Sequence, residues 1–298
     1  MRDVINKYLI PTKFKLTAKE KSIMIIIIIL LIVGIIEGWK KNIDIIEVNA
    51  QYEEYQKELQ EAIIREQEEK ERKRREKLPE LTQEGIENVN HIYSSDTKRA
   101  FLTFDDGPSS NTQPILDILK EKGIKATFFV LGSNVEKAPE TVKRIYNEGH
   151  FIANHGYSHV YTSIYQSPQT VLDEYNRCNQ LVRDAIGEQE YNSHLFRFPG
   201  GFVGGQYAEI KNQAKDLLLQ NNIVHVDWNA LNGDSETKEP TVDFELQRIA
   251  DTTCDKQSVV ILMHDAEAKK VTVEALPNII DYLKGQGYEF KNFYELIK

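Results

Sequence analysis

Two adjacent carboxylates, Asp105 and Asp106, close the apolar run Ala100-Phe101-Leu102-Thr103-Phe104 and are followed by Gly107-Pro108. The run reads as a buried strand and the Gly-Pro pair as the turn that ends it. Neighbouring acids repel each other, and beside an apolar run they also lose hydration, so their ionised forms need a cation close by. A metal ion or an arginine would serve. In α/β folds the carboxyl ends of strands are where ligands and reacting groups gather.

Other apolar runs also lead into ionisable residues. Phe151-Ile152-Ala153 is followed by Asn154-His155-Gly156-Tyr157-Ser158-His159. His155 and His159, four apart, fall on one side of a helical turn and within reach of one metal ion, although a pair of solvated loop histidines has the same spacing. Arg197 precedes Phe198-Pro199-Gly200-Gly201, a stiff turn with free backbone N–H groups. Residues 223–226 run into Asp227-Trp228-Asn229, with Asp234 soon after. Residues 259–262 lead to Met263-His264-Asp265. Ionisable groups recurring at strand carboxyl ends match the catalytic face of a (β/α) barrel. His91, His150, His194 and His225 lack such a setting and read as structural or surface residues.

The elements that must carry these groups alternate. Strands are expected at residues 100–104, 126–130, 151–153, 195–198, 223–226 and 259–262. Helical patterns lie near residues 112–122, 139–148, 169–185, 206–221, 244–253 and 272–284. Gly123, Gly149 and Gly285 stand where helices should stop. Repeated strand–helix units argue for a parallel α/β domain over residues 98–298, with a barrel and a doubly wound sheet both open on periodicity alone.

The 298 residues, 41% hydrophobic, suffice for one large domain plus appendages. From Leu78 onward there are 21 Lys+Arg against 32 Asp+Glu, a net of −11. Phosphate binding needs a basic surface, so this balance argues against nucleic acid as a partner. Cys178 and Cys254 make neither a disulfide framework nor a cysteine metal site, and whether they pair is left open.

Residues 22–39 read as a transmembrane signal anchor, with Ile25 to Ile29 unbroken and Trp39 suited to the interface. As a helix they would span about 27 Å, against a hydrocarbon core of ~30 Å. A buried core helix and a cleaved signal peptide are the alternatives, but no small-residue cleavage site follows. Residues 1–21 carry six Lys+Arg and are expected as a cytoplasmic tail, which places the rest of a single-pass chain, catalytic domain included, outside the cell membrane. Residues 42–77 read as a charged helical stalk, about 54 Å long if wholly helical. It holds nine Glu and eight Lys+Arg between Gln51 and Lys77. Pro79 ends it, and residues 78–97 are expected as a linker.

The set T-F-D-D-G-P, H-x-x-x-H, R-F-P-G-G, W-N-x(4)-D and L-M-H, in this order, resembles the polysaccharide deacetylases of carbohydrate esterase family four, the NodB-homology domain. The resemblance covers residues 98–298. It implies a distorted (β/α) barrel and a single divalent metal, zinc or cobalt, with Asp106, His155 and His159 as ligands. It further implies Asp105 as general base, held by Arg197, and Gly200 as backbone donor to the developing oxyanion. His264 would be the general acid, tuned by Asp234, and Leu262 would line the acetyl pocket. The fourth motif departs from the family pattern: Leu231 replaces an acid and Ser235 an aromatic, and Asp227 is a second candidate partner for His264. The implied reaction is removal of N-acetyl groups from a cell-surface polysaccharide, with N-acetylglucosamine of peptidoglycan as the expected substrate. Other polymers (O-acetyl xylan, chitooligosaccharide, a biofilm glucosamine polymer) and a non-catalytic wall-binding role are the alternatives.

Overall fold

In the computed structural model, which describes residues 17–37 and 45–297, eight strands form one parallel sheet. They are β1 (Arg99–Asp105), β2 (Thr127–Val130), β3 (Phe151–Asn154), β4 (Leu195–Phe196), β5 (Val224–His225), β6 (Ala230–Leu231), β7 (Ser258–His264) and β8 (Glu289–Lys291). The order is β5-β4-β3-β2-β1-β7-β6, with β8 paired to the first residues of β1. The terminal strands β5 and β6 do not pair, so the sheet is a curled, open half-barrel and not a closed one. Helices connect the strands, the longest being Pro168–Ile186 and Lys270–Gly285.

Strand parity divides the side chains. Ala100, Leu102 and Phe104 of β1 join Phe128, Val130, Ile152, Val259, Ile261 and Met263 in the core under the helices. Their neighbours Phe101, Phe129, Phe151, Ala153 and Val260 fill a second core on the opposite face of the sheet. Thr103, Asp105, Leu262 and His264 share that second parity, because successive side chains alternate across a strand. Register does the rest. β1 pairs with β7 along its whole length, which sets Asp105 opposite His264 and Thr103 opposite Leu262.

The predicted strands and helices fall close to observed ones, but several short elements were not predicted, among them the four-residue helices Gly132–Val135, Tyr161–Ile164 and Tyr294–Ile297. β6 and β8 span two and three residues, too few to show an alternation. Residues 78–97 are not a free linker. Thr82 caps the helix Gln83–Asn90 by accepting from Gly85 N, and Leu81, Val89 and Ile92 are buried with Phe293, Leu296 and Ile297. Cys178 is buried and Cys254 exposed, and both are free thiols, so they do not pair.

The chain divides between Lys73 and Arg74 into two units. In the first, a helix runs Ala18–Glu37, and a 32-residue helix begins at Ile45 and ends at Glu76. The longer helix carries i,i+4 ion pairs such as Glu66–Lys70 and Glu69–Lys73, both 2.6 Å. The expected membrane span is overturned. No helix among the described residues is long and apolar enough to cross a membrane. The uncharged stretch of Ala18–Glu37 runs only from Ser22 to Ile36, roughly 22 Å against the ~30 Å of a hydrocarbon core. Every 18-residue window of that helix takes in three charged side chains, drawn from Lys19, Glu20, Lys21 and Glu37. The single-pass topology, and the cellular placement built on it, fall with the span. Residues 1–16 of the expected tail, 38–39 of the expected span and 42–44 of the expected stalk lie outside the described residues.

Candidate active site

The turn after β1 separates the two acids. Asp105 is the last residue of β1, while Asp106 takes a left-handed backbone, φ +71°. That conformation is strained for a side-chain-bearing residue and is typical of functional turns. Asn134 Nδ2 holds it by donating to Asp106 O at 2.8 Å. His159 is also left-handed, φ +56°. The carboxylates therefore leave the strand end in different directions.

Asp106 Oδ1 lies 3.6 Å from His155 Nε2 and 3.4 Å from His159 Nε2. It is buried and has no hydrogen-bond partner. One donor atom from each of Asp106, His155 and His159 falls within 4.8 Å of the others, so the three could hold a metal ion. His155 Nδ1 sits 2.7 Å from Arg197 O, which fixes that nitrogen as the protonated one and leaves Nε2 with a free lone pair. Burial drives the His155 imidazole down to about 3, so it is neutral, as a ligand must be. An orphaned carboxylate oxygen beside two aligned Nε2 atoms fits a divalent cation, and one open side remains for water and substrate.

The loop carrying the histidines is pinned along its backbone. Glu174, on the helix Pro168–Ile186, accepts from Tyr157 N at 2.6 Å, Ser158 N at 2.7 Å and Ser158 Oγ at 2.7 Å. Gly132 N and Ser133 N donate to Gly156 O and Tyr157 O. Arg177, one helical turn from Glu174, stacks its guanidinium 3.3 Å from the Tyr157 ring centroid.

Arg197 is fully buried, and each of its three guanidinium nitrogens is hydrogen-bonded. Nη1 donates to Asp105 Oδ1 and Thr103 Oγ1, both at 2.8 Å. Nε and Nη2 donate to the carbonyls of Val226 and Asp227. The Phe129 ring lies 3.9 Å beneath it. Asp105 thus gives one oxygen to Arg197, and the other, Oδ2, lies 3.9 Å from His155 Nε2 and faces the trio. Burial pushes the Asp105 carboxyl above the usual range against the pull of Arg197.

His264 Nδ1 and Asp234 Oδ1 are 2.8 Å apart, and His264 N donates to Asp234 Oδ2 at 2.8 Å. Thr272 Oγ1 donates to the same Oδ2 at 3.0 Å. Burial acts to lower the imidazole, but the bond to Asp234 and the charges of Asp234, Asp105 and Asp106 outweigh it and raise it to about 9. Asp227 is engaged elsewhere, since both its oxygens accept from Phe202 N. The structure thereby assigns Asp234, and not Asp227, to His264. Ser235, which stands where the family pattern has an aromatic, places its hydroxyl 3.1 Å from Asp234 Oδ1. Leu262 is half-buried between Thr103 and Leu231 in the strand register. A cleft of about 470 Å³ opens beside Asp106 and His159, walled by Leu131, Asn134 and Lys137 on one side and Pro108, Ser109 and Glu267 on the other.

Residues 92–220 match the family profile described as polysaccharide deacetylase. A peptidoglycan-N-acetylglucosamine deacetylase of Bacillus cereus is 34% identical over 201 residues, covering 66% of this chain and 70% of that protein. The chain belongs to the polysaccharide deacetylase family. The enzyme is thus a hydrolase of carbon–nitrogen (amide) bonds. The peptidoglycan-N-acetylglucosamine deacetylase PgdA of Listeria monocytogenes is 37% identical over 200 residues, 67% of this chain but 39% of that longer protein. The solved structure of a Streptococcus mutans CE4 esterase superposes with a TM-score of 0.63 at 33% identity, over 70% of this chain and 90% of that one.

Several residues around the candidate site were not anticipated from sequence. Thr103 bonds Arg197, and a lone hydroxyl in a buried strand was its available signal. Glu174, Asn134 and Thr272 reach the site from helices whose sequences look ordinary, so nothing local marked them.

Proposed function

We propose that this deacetylase removes N-acetyl groups from N-acetylglucosamine residues of peptidoglycan, using one divalent metal ion, zinc or cobalt, held by Asp106, His155 and His159. The observation that carries the metal is the buried, unpartnered Asp106 Oδ1 facing two Nε2 atoms. The polymer is suggested by the names of the B. cereus and L. monocytogenes relatives. Bound there, a divalent ion supplies Lewis acidity to water and to the acyl carbonyl.

The protein's own groups then divide the proton transfers. Asp105 Oδ2 takes the proton of the attacking water, and Arg197 on Oδ1 keeps the carboxylate oriented. The raised pKa direction of Asp105 makes it a better acceptor than a solvated carboxylate. The Gly200 N–H meets the charge developing on the acyl oxygen. His264, protonated at neutral pH through Asp234, gives its proton to the nitrogen as the C–N bond breaks, and the products are acetate and a free amine. Leu262 lines the space for the acetyl methyl. The presence of base, acid and all three ligand side chains speaks against a purely wall-binding role.

The test is acetate release by the purified full chain from peptidoglycan, chitooligosaccharides and O-acetyl xylan, after chelation and after return of zinc or cobalt. Release from peptidoglycan that chelation abolishes and metal restores is expected. No release with any metal overturns the proposal, and preference for O-acetyl xylan overturns the substrate.

A further inference from the structure

Gly200 and Tyr161 meet at the rim of the site from two separate loops. Gly200 holds φ +75°, and a Cβ placed on it would lie 2.5 Å from Tyr161 Oη and 2.9 Å from Tyr161 Cζ. The phenol therefore occupies the place a side chain at position 200 would take, and only glycine admits it. The Tyr161 ring centroid is 5.5 Å from that of His159. Tyr165 and Tyr207 brace it from behind at 5.9 and 6.5 Å, yet the residue stays 40% exposed.

The neighbouring tyrosine shows what a structural phenol does here: Tyr165 Oη donates to Pro199 O at 2.6 Å. Tyr161 Oη has no hydrogen-bond partner among the described residues, and neither has the Gly200 N–H, although Gly201 N is bonded to Phe198 O. Standard backbone dimensions put Tyr161 Oη within roughly 5 Å of Gly200 N. Two donors that share one acceptor at about 2.9 Å each stand no more than about 5.8 Å apart. The pair is thus spaced to serve a single oxygen.

We propose that the Tyr161 hydroxyl is a second donor to the acyl oxygen of the substrate, acting with the Gly200 N–H on the charge that develops there. The proton stays on the phenol throughout. This rests on the deacetylase role given to Gly200 above. A tyrosine from the histidine loop would then supply from the side what the Arg197–Gly201 turn supplies from its backbone.

The test compares Tyr161→Phe with the unaltered full chain, both zinc-loaded. On chitooligosaccharide, kcat is expected to fall about 100-fold, the scale of one lost oxyanion donor, with KM and zinc affinity within about twofold. A kcat within about threefold of the unaltered enzyme, or a loss carried by KM alone, overturns the proposal. Binding of a methylphosphonamide of glucosamine, a tetrahedral anionic mimic, is measured in parallel and should weaken by about tenfold or more. Equal binding by the two proteins, including none by either, also overturns it. An inactive parent enzyme whose mimic binding still depends on Tyr161 would count against the substrate reading and not against the donor.

Discussion

Arg197 Nη1 lies 2.8 Å from Asp105 Oδ1, and both partners are buried: Arg197 is 0% and Asp105 2% exposed. This contact explains how two adjacent acids coexist at one strand end. Asp105 is neutralised from below by a guanidinium whose other nitrogens also donate, to the carbonyls of Val226 and Asp227. Asp106, turned away by its left-handed backbone, faces His155 and His159. The two acids thereby face different partners, Asp105 a guanidinium and Asp106 a pair of imidazoles, and each can be disturbed without the other.

The first prediction separates them. Asp105→Asn should bind zinc with affinity close to the parent while kcat falls by a thousandfold or so, because the proposed general base is gone and the trio is intact. Asp106→Asn should lose zinc binding itself. Metal titration alongside acetate release checks both, and full activity in Asp105→Asn would remove it as the base.

Arg197→Met should destabilise the Arg74–Lys298 unit by roughly 3–5 kcal/mol, the penalty for leaving a buried charge without its partner. Chemical denaturation measures it. Adding Asp105→Asn to that variant should recover part of the loss, since the unpaired charge is then absent. A double variant no more stable than Arg197→Met would show that the loss comes from the other contacts of Arg197, with Thr103, Val226, Asp227 and Phe129, instead.

In metal-free protein, His264 should titrate near 9, well above an ordinary histidine, because Asp234, Asp105 and Asp106 favour its charged form. The sign for stability follows from linkage. A raised folded-state pKa contributes stability that is fully present below the unfolded value of about 6.5 and is lost as pH rises through about 9. Asp234→Asn should bring the imidazole down and narrow that window. Adding zinc should also lower it, since a cation offsets the charge of Asp106. NMR titration of the imidazole, with and without zinc, reports both shifts.

Glu174→Ala should weaken zinc binding by about 10- to 100-fold, the usual effect of loosening the groups that orient metal ligands. It removes the acceptor for Tyr157 N, Ser158 N and Ser158 Oγ, while Asp106, His155 and His159 all remain. Competition with a chromophoric chelator measures the affinity. Unchanged affinity would mean that the contacts from Gly132 and Ser133 hold the loop unaided.

Much of the site was legible in the residues themselves. Asp105-Asp106 at a strand end, the H-x-x-x-H spacing, Arg197 before its Pro-Gly turn and His264 after an apolar run are all local signals, carried by neighbours in sequence. So is the alternation of strands and helices, because residue period and turn chemistry act over a few residues. Hydrophobicity misled at the amino terminus. The run from residue 22 reads as far as Trp39, but the uncharged helical stretch ends at Ile36, and length decides whether a helix can span.

By itself, then, the sequence determined which side chains stand at strand ends and which face of each strand they share. Only the tertiary structure decided who meets whom. Strand order and register, which set Asp105 opposite His264, depend on segments more than 150 residues apart packing together. The choice of Asp234 over Asp227 as the partner of His264 was made by that packing, and so was the meeting of Tyr161 with the bare Cα of Gly200. Contacts of this kind arise from burial and shape between distant parts of the chain, and no local pattern encodes them.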